Sequence, residues 1–370
     1  MAIINFGKID KNQISILVGC VFCFLNRILN QYDGTLLFKN TILTNIFIQF
    51  SRIFNIIPYL IFKKRSKKVD NNDKQNTDVH KKFTFLFSQD LNEFYESNYK
   101  YIFISAIIFF LESIMFVYTL EIKSSSWLLY ILFASLLYYL ILKIKLYKHH
   151  YLSMILIIII GLVIDLVLEN FQNDIINNTV KLIIRYIREL LFSLYIITIK
   201  YMTEKQFCSI YKISWIHGIL NVLLFIIFAI LDYYFIGFCE YETYFNNFNG
   251  KEFLVILAVM ATQLGLELSI LITVKNYSPC HVFIILVFGQ LAYYIDFSKD
   301  NSVLFVISLF FILFLSLIFS EIIELNFFGL SKNTKRNITF RADSDIFESI
   351  EAYSGRYSVE LNDKTSETDL

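Results

Sequence analysis

NTVKLIIRYIRELLFSLYIITIKYMTEKQFCSIY is the run of residues 178–211, and it carries four charges in an otherwise hydrophobic first half. Lys181, Arg185 and Arg188 stand at positions i, i+4 and i+7, so they share one face of a helix, with Glu189 beside them. Arg188 falls roughly 15 Å from the start of such a helix, near the midplane of a ~30 Å hydrocarbon layer. A charge at that depth costs at least about 2.5 kcal/mol unless it faces protein or water. We therefore predict that this helix lies inside a bundle of membrane helices.

The composition of the whole chain agrees with a membrane protein. Of its 370 residues, 56% are hydrophobic and 18% aromatic, and the mean hydropathy is +0.56. A bilayer accepts this amount of apolar surface, whereas a water-soluble domain has too little interior for it. The net charge of +1 gives no basic face for nucleic acid, so we expect no nucleic-acid partner.

Hydropathy predicts an all-α, polytopic membrane protein with about ten transmembrane helices. A cytosolic N-terminal arm (1–13) precedes them, a polar cytosolic loop (63–98) interrupts them, and a disordered cytosolic tail (331–370) comes after them. The spans are expected near residues 14–31, 41–62, 100–121, 126–143, 150–169, 179–203, 211–236, 251–274, 279–296 and 302–325.

Lys and Arg are distributed very unequally between alternate loops. When the adjoining ends of the spans are counted with the loops, one set of loops and both termini hold 24 of these residues, and the opposite set holds four. Positively charged loops stay on the cytosolic side of a membrane, so both termini are predicted to be cytosolic.

The chain also shows signs of an internal repeat. Shifted by 155 positions, Glu112 falls on Glu267 and Tyr138-Tyr139 falls on Tyr293-Tyr294. Because each half would contain five helices, the second half would insert upside down. We therefore predict a 5+5 inverted repeat, with residues 14–169 as the first half and 179–325 as the second.

Two segments resemble the drug/metabolite transporter superfamily, on the side of the nucleotide-sugar-transporter-like proteins. KYMTEKQFCSIYKISWIHGILN, Lys200–Asn221, is similar to a recurrent KYxxEKxxxSPYExxFYEG segment, although Ile210 and Lys212 replace its Pro and Glu. EIIELNFFGLSKNTKRNI, Glu321–Ile338, is similar to the end of the last helix and the start of the tail. The resemblance implies an alternating-access carrier of a small, often anionic solute, located in an endomembrane (Golgi, ER or vesicle).

The candidate site consists of the ionisable residues predicted at membrane depth. In the functional interpretation, Arg52 and Arg188 attract an anion, the carboxylates balance the charge, and the basic stripe forms an entrance. In the alternative, these groups form buried ion pairs that only fix how the helices pack, for example Arg185 with Glu189. The substrate-binding candidates are Arg52, Glu112, Arg188, Glu189 and Glu267, and the entrance candidates are Lys181 and Arg185.

Motifs for other chemistry are weak. The chain has no Gly-rich phosphate loop and no Ser/His/Asp arrangement, so we expect neither an enzyme nor a cofactor. Cys20 and Cys23 lie in an apolar helix without Cys or His partners nearby, and we expect no metal. His217 is interpreted as a hydrogen-bonded interior histidine.

Two further features concern the ends and shape of the helices. His149 and His150 stand beside Lys148 at a predicted membrane edge, and we expect them in a solvated loop. Pro58 and Pro279 are the chain's two prolines, and neither falls in the middle of a span, which argues against broken helices.

The sequence therefore predicts a secondary transporter of a small anionic organic solute. The alternative is a receptor or scaffold that transports nothing and whose membrane charges are structural. The expected partners are the solute and the lipid bilayer, with a homodimer left open.

Overall fold

The computed structural model describes residues 4–6, 14–32, 41–72, 99–119, 128–144, 148–169, 175–206, 208–237, 241, 250–293, 302–319 and 323–325. Almost all of them are helical. In chain order the elements are β1 (Ile4–Phe6), α1 (Ile14–Tyr32), α2 (Thr41–Ile53), α3 (Ile56–Asn72), α4 (Tyr99–Thr119), α5 (Leu129–Leu142), α6 (Lys148–Glu169), α7 (Ile175–Lys205), α8 (Ile210–Leu231), α9 (Gly250–Asn276), α10 (Val282–Tyr293), α11 (Ser302–Phe319) and β2 (Ile323–Leu325). A π-helical turn, Asp232–Ile236, continues α8, and a 3₁₀ turn, Pro279–His281, precedes α10.

Within these residues, four helical stretches are long and apolar enough to cross a membrane, judged by length and composition alone. They are Ile42–Lys64, Tyr99–Val117, Ile210–Ile236 and Gly250–Asn276. Five shorter helical stretches are also apolar: Ile14–Leu29, Leu129–Leu142, Lys148–Gly161, Pro279–Gln290 and Ile307–Phe319. The apolar helices indicate a membrane protein, whereas the ten-span repeat stays a prediction.

The outward faces of the helices fit a lipid environment. On α8, for example, Leu223, Ile227 and Ile230 are each more than half exposed. A continuous apolar face of this kind is unfavourable in water and favourable against hydrocarbon tails. Polar residues of the same helix, such as Ser214, are buried in the bundle instead.

Several helix ends differ from the sequence expectation. α3 runs on to Asn72, so the first part of the expected loop 63–98 is helical, and residues 73–98 lie outside the described part. The last span was expected to reach residue 325, which is wrong, because α11 ends at Phe319. Residues Ile323–Leu325 instead form β2, which pairs antiparallel with β1 in the N-terminal arm. The tail 331–370 lies outside the described residues.

The second predicted span is interrupted, contrary to the expectation of unbroken helices. α2 ends at Ile53 and α3 begins at Ile56, with Phe54 and Asn55 in a turn. Pro58 explains the break, because it has no N–H to donate to the carbonyl of Phe54 four residues earlier. The Ile57 amide bonds that carbonyl instead, at 3.1 Å. Proline acts on the turn before it, so a proline near the end of a span breaks the span closer to its middle.

α2 and α8 cross closely at Gly218. A Cβ atom on Gly218 would lie 2.9 Å from the Ile53 nitrogen and 3.0 Å from the Gln49 carbonyl oxygen. Glycine therefore lets the two backbones approach where any side chain would force them apart. α8 also packs against α3, α4 and α9.

Candidate functional site

An ion pair between α2 and α9 forms the first part of the candidate site. The Arg52 guanidinium contacts the Glu267 carboxylate, and the two side chains are 3% and 4% exposed. Each charge removes most of the cost of burying the other, although a buried pair gives little net stability. The pair links α2 to α9 through residues that are 215 positions apart in the sequence.

Polar side chains at the break between α2 and α3 extend this ion pair. The Asn55 amide donates a 2.8 Å hydrogen bond to the Ser214 hydroxyl of α8. That hydroxyl donates in turn to Glu267, at 3.2 Å. The helix break thus brings Asn55 into a chain of hydrogen bonds that ends at the carboxylate holding Arg52.

Arg188 of α7 forms the second part of the site and contacts two carboxylates. Its Nε lies 3.2 Å from Glu112 of α4, and its Nη2 lies 3.1 Å from Glu189, the next residue along α7. Glu189 is 2% exposed and Arg188 is 15% exposed. The guanidinium therefore bridges two acidic groups, and the structure pairs Glu189 with Arg188.

One face of α4 contacts both arginines. Phe109, Glu112 and Phe116 stand at i, i+3 and i+7. The Arg52 guanidinium carbon lies 4.2 Å from the Phe109 ring centroid, and that of Arg188 lies 4.9 Å from the Phe116 ring centroid. Cation–π contacts are stronger in a desolvated setting, so these rings help to hold both guanidiniums.

His217 of α8 lies in the same layer and is fully buried. Its Nε2 and the Ser105 hydroxyl are 2.7 Å apart, and the Tyr195 ring lies 5.8 Å from the imidazole, centroid to centroid. The prediction of a hydrogen-bonded interior histidine is confirmed.

The sequence reasoning missed four buried polar residues where α2 and α8 pack together: Gln49, Asn55, Ser214 and Asn221. All four are at most 2% exposed. A signal for them existed in the spacing, because Gln49, Arg52 and Asn55 repeat every three residues and so share a helix face. Uncharged polar residues are common in this chain, and no single one stood out by residue type alone.

The entrance candidates are placed less completely. Lys181 lies near the start of α7, but its side chain is outside the described part of the chain. Arg185 is half-buried, one turn before Arg188 and Glu189 on the same helix. The role of both residues in admitting a solute stays a prediction.

The histidine pair was placed wrongly. His149 and His150 lie in the first turn of α6 and are only 4% and 5% exposed. The His150 ring is 4.5 Å from Phe319 of α11, so packing between the two helices buries it. Helix α6 begins at Lys148, and within its first turn the two histidines are buried while Lys148 and Tyr151 are exposed.

No model of a known protein family and no curated protein matches this chain. The resemblance to the drug/metabolite transporters therefore remains a prediction. Within the residues that the structure describes, no group of three or more His, Cys, Asp or Glu is arranged to hold a metal ion. The chemistry available is that of guanidinium, carboxylate, amide and hydroxyl groups, which suits reversible binding of a polar or anionic solute.

Proposed function

We propose that this chain is a secondary transporter that moves a small anionic organic solute across an endomembrane by alternating access, with both termini in the cytosol. The observation that carries the proposal is the layer of buried charges formed by Arg52, Glu267, Arg188, Glu112 and Glu189. Charges inside a membrane protein are costly and are typical of solute and ion pathways.

The pattern of helix contacts supports a 5+5 inverted repeat. If the first half is α1 to α6, with α2 and α3 as one broken span, and the second half is α7 to α11, the most extensive contacts between helices have a counterpart in the other half. In this division α1 corresponds to α7, α2 to α8, α4 to α9 and α5 to α10. The contact of α1 with α9 then corresponds to that of α7 with α4, and the contact of α1 with α10 to that of α7 with α5. The contact of α4 with α8 corresponds to that of α9 with α2. The pairs α2–α8 and α6–α11 correspond to themselves. Such reciprocity is expected when two halves are related by a twofold axis.

The matched carboxylates Glu112 and Glu267 support the same arrangement. Glu112 belongs to the first half and pairs with Arg188 of the second, and Glu267 belongs to the second half and pairs with Arg52 of the first. Each carboxylate therefore holds an arginine of the opposite half. Residues that link the halves are the ones whose contacts must change when the halves rock.

These links give an anion a way to drive the conformational change. A phosphate or carboxylate on the solute can take the place of a glutamate on an arginine, because a guanidinium forms paired hydrogen bonds with either. Binding then loosens one contact between the halves. A ligand shifts a conformational equilibrium only by binding the two states differently, and this exchange supplies the difference.

A second function, a receptor or scaffold that transports nothing, is favoured by one observation. Both arginines already have carboxylate partners in the structure, as purely structural ion pairs would. Buried pairs of this kind can specify how helices pack. The two functions predict different transport rates for a variant that loses one guanidinium while its helices still fold.

The test is solute exchange in vesicles that contain the purified protein. Each compound of a panel of nucleotide sugars, sugar phosphates and amines is loaded inside the vesicles. The same compound in labelled form is added outside, and the label that enters the vesicles is measured. We expect exchange of at least one anion, loss of exchange in Arg188→Ala, and weak exchange in Arg188→Lys, which keeps the charge and loses the planar fork.

Lys205→Ala is the matched control, because Lys205 is an exposed basic residue at the end of the same helix. Its exchange should equal that of the parent. If Arg188→Ala folds and exchanges anions like the parent, Arg188 is structural and the anion proposal fails.

A further inference from the structure

We propose that the end of α3, residues 63–72, is a binding surface for anionic lipid headgroups on the side of the membrane that the loop charges predict to be cytosolic. Its sequence, KKRSKKVDNN, holds five Lys or Arg residues and one acidic residue, Asp70, so its net charge is +4. Clusters of about four to eight Lys and Arg directly after a membrane helix attract phosphatidylserine and phosphoinositide headgroups. The inference depends on the membrane location of α3 and not on what the protein transports.

The contacts of α3 with α8 show where α3 leaves the bundle. Tyr59 lies against Trp215, and Phe62 stacks on Tyr211, so the two helices are antiparallel. Helix α8 begins one residue before Tyr211, and α3 therefore passes the end of α8 directly after Phe62. α3 nevertheless continues to Asn72, which is roughly 15 Å farther along its axis. The basic residues thus lie on a helix that extends beyond its neighbour.

The lipid-facing side of α3 becomes basic at the same point. Ile57 and Leu60 are each more than half exposed, which fits contact with hydrocarbon tails. Lys64, at i+7 from Ile57, is exposed on the same face, and the candidate membrane span ends there. By spacing, Lys67 and Lys68 stand at i+10 and i+11 and continue this face. One face of the helix is therefore apolar beside the lipid tails and basic beside the headgroups.

The helical structure of this segment goes beyond what the orientation of the chain requires. Positive residues keep a loop on the cytosolic side through their charge, whether or not the loop is folded. Here the segment is helical, and helical spacing puts Lys64 and Lys68 on the face that continues the lipid-facing one. Lys and Arg stems can pack along apolar surface while their charged groups reach the headgroups. A helix therefore lets several basic residues contact the headgroup layer together.

The acidic end of the chain is the competing occupant of this surface. Residues 343–369 include eight Asp and Glu residues, which would be attracted by the same positive charge. Lipid is favoured because the basic face continues the lipid-facing face of α3, so headgroups lie directly beside it. An acidic peptide bound there would first have to displace them.

The test is hydrogen–deuterium exchange of the full chain in bilayer discs, measured at the backbone amides of residues 63–72. One set of discs contains phosphatidylcholine alone, and the other contains roughly seven parts of it to three parts of phosphatidylserine. Each Lys or Arg near an anionic surface strengthens binding roughly fivefold, and bound headgroups hold the end of the helix closed. We expect exchange to be at least about tenfold slower in the anionic discs. The difference should vanish in roughly 1 M salt, where the Debye length is about 3 Å.

Two matched variants show which charges are responsible. The test variant replaces four basic residues of α3, as Lys64→Gln, Arg65→Gln, Lys67→Gln and Lys68→Gln. Glutamine has nearly the same helix propensity as lysine and arginine, so the helix should persist while its exchange becomes equal in the two kinds of disc. The control removes four charges from the tail, as Lys332→Gln, Lys335→Gln, Arg336→Gln and Arg341→Gln. The control should keep the difference that the parent shows.

Three results would overturn the proposal. The first is equal exchange of the parent in the two kinds of disc, and the second is a difference that persists in the α3 glutamine variant. The third is slow exchange in both kinds of disc that becomes fast when residues 331–370 are deleted, because the acidic tail would then be the occupant.

Discussion

The Glu267 carboxylate of α9 holds the Arg52 guanidinium of α2 in an ion pair where both side chains are almost completely buried. Neither residue could remain charged in that position without the other or a replacement. Removing one side chain of this pair should therefore lower the stability of the protein strongly.

Glu267→Ala should destabilise the protein by about 3–5 kcal/mol, because it leaves a buried guanidinium without its carboxylate. Replacing both partners, as Arg52→Met with Glu267→Met, should recover most of this loss, since no buried charge remains. Thermal unfolding in detergent measures both effects. Lys64→Ala is the control at an exposed residue of α3. A double variant that is no more stable than Glu267→Ala would contradict this account.

Glu112→Gln and Glu189→Gln should have unequal effects on anion exchange. Both residues contact Arg188, but Glu112 belongs to α4 and crosses between the helices, whereas Glu189 is next to Arg188 on α7. Weakening the crossing contact should change the rate of exchange more than weakening the local one. Exchange rates of the two variants at saturating solute test the difference, with unfolding curves to show that both fold. Equal rates would indicate that the link between the halves has no role in transport.

Gly218→Ala should cost about 1–3 kcal/mol, which is typical of overpacking. The added methyl group would meet the Ile53 backbone nitrogen at 2.9 Å, and backbone cannot move aside as a side chain can. Gly250→Ala is the matched control, because a Cβ atom there has no other atom within 4 Å. Similar unfolding temperatures for the two variants would show that α2 and α8 do not approach as closely as described.

A protease added to sealed vesicles of cytosolic-side-out orientation should cut the 331–370 tail and the 73–98 segment. The prediction rests on the 24 Lys and Arg residues in one set of loops and termini against four in the other. A cleavage site inserted at residues 120–127 should be protected until detergent is added. Protection of the tail or of the 73–98 segment would refute the topology, and the inverted repeat with it.

Hydropathy predicted where most helices lie and that Arg52, Glu112, Glu189 and Glu267 are buried, whereas it did not predict the burial of Lys200, Lys212 and Asp232. A helix satisfies its own backbone hydrogen bonds, so a long apolar run is enough to place one in a membrane. The depth of Arg52, Glu112, Arg188 and Glu267 can be counted in residues along those runs. The burial of His217 was also predicted from the sequence, since the residue lies within an apolar helical run.

Which side chains meet was decided only by the tertiary structure. The sequence reasoning gave Arg185 with Glu189 as one example of a structural ion pair, and the structure shows that Arg188 contacts Glu189 as well as Glu112. The pairs Arg52–Glu267 and Arg188–Glu112 join helices distant in sequence, and the rotation of one helix against another selects them. The burial of His149 and His150 likewise depends on α11, which begins about 150 residues later.

The same holds for Gln49 and Asn221. By residue type they are two ordinary amides in a chain rich in them, and nothing local distinguishes them from Asn26 or Asn55. Gly218 brings α2 and α8 close enough to bury both, and the register of that crossing determines that neither meets a partner among the described residues. Local sequence sets helices and depth because those depend on neighbours along the chain, whereas pairing depends on contacts between helices that the chain brings together only when it folds.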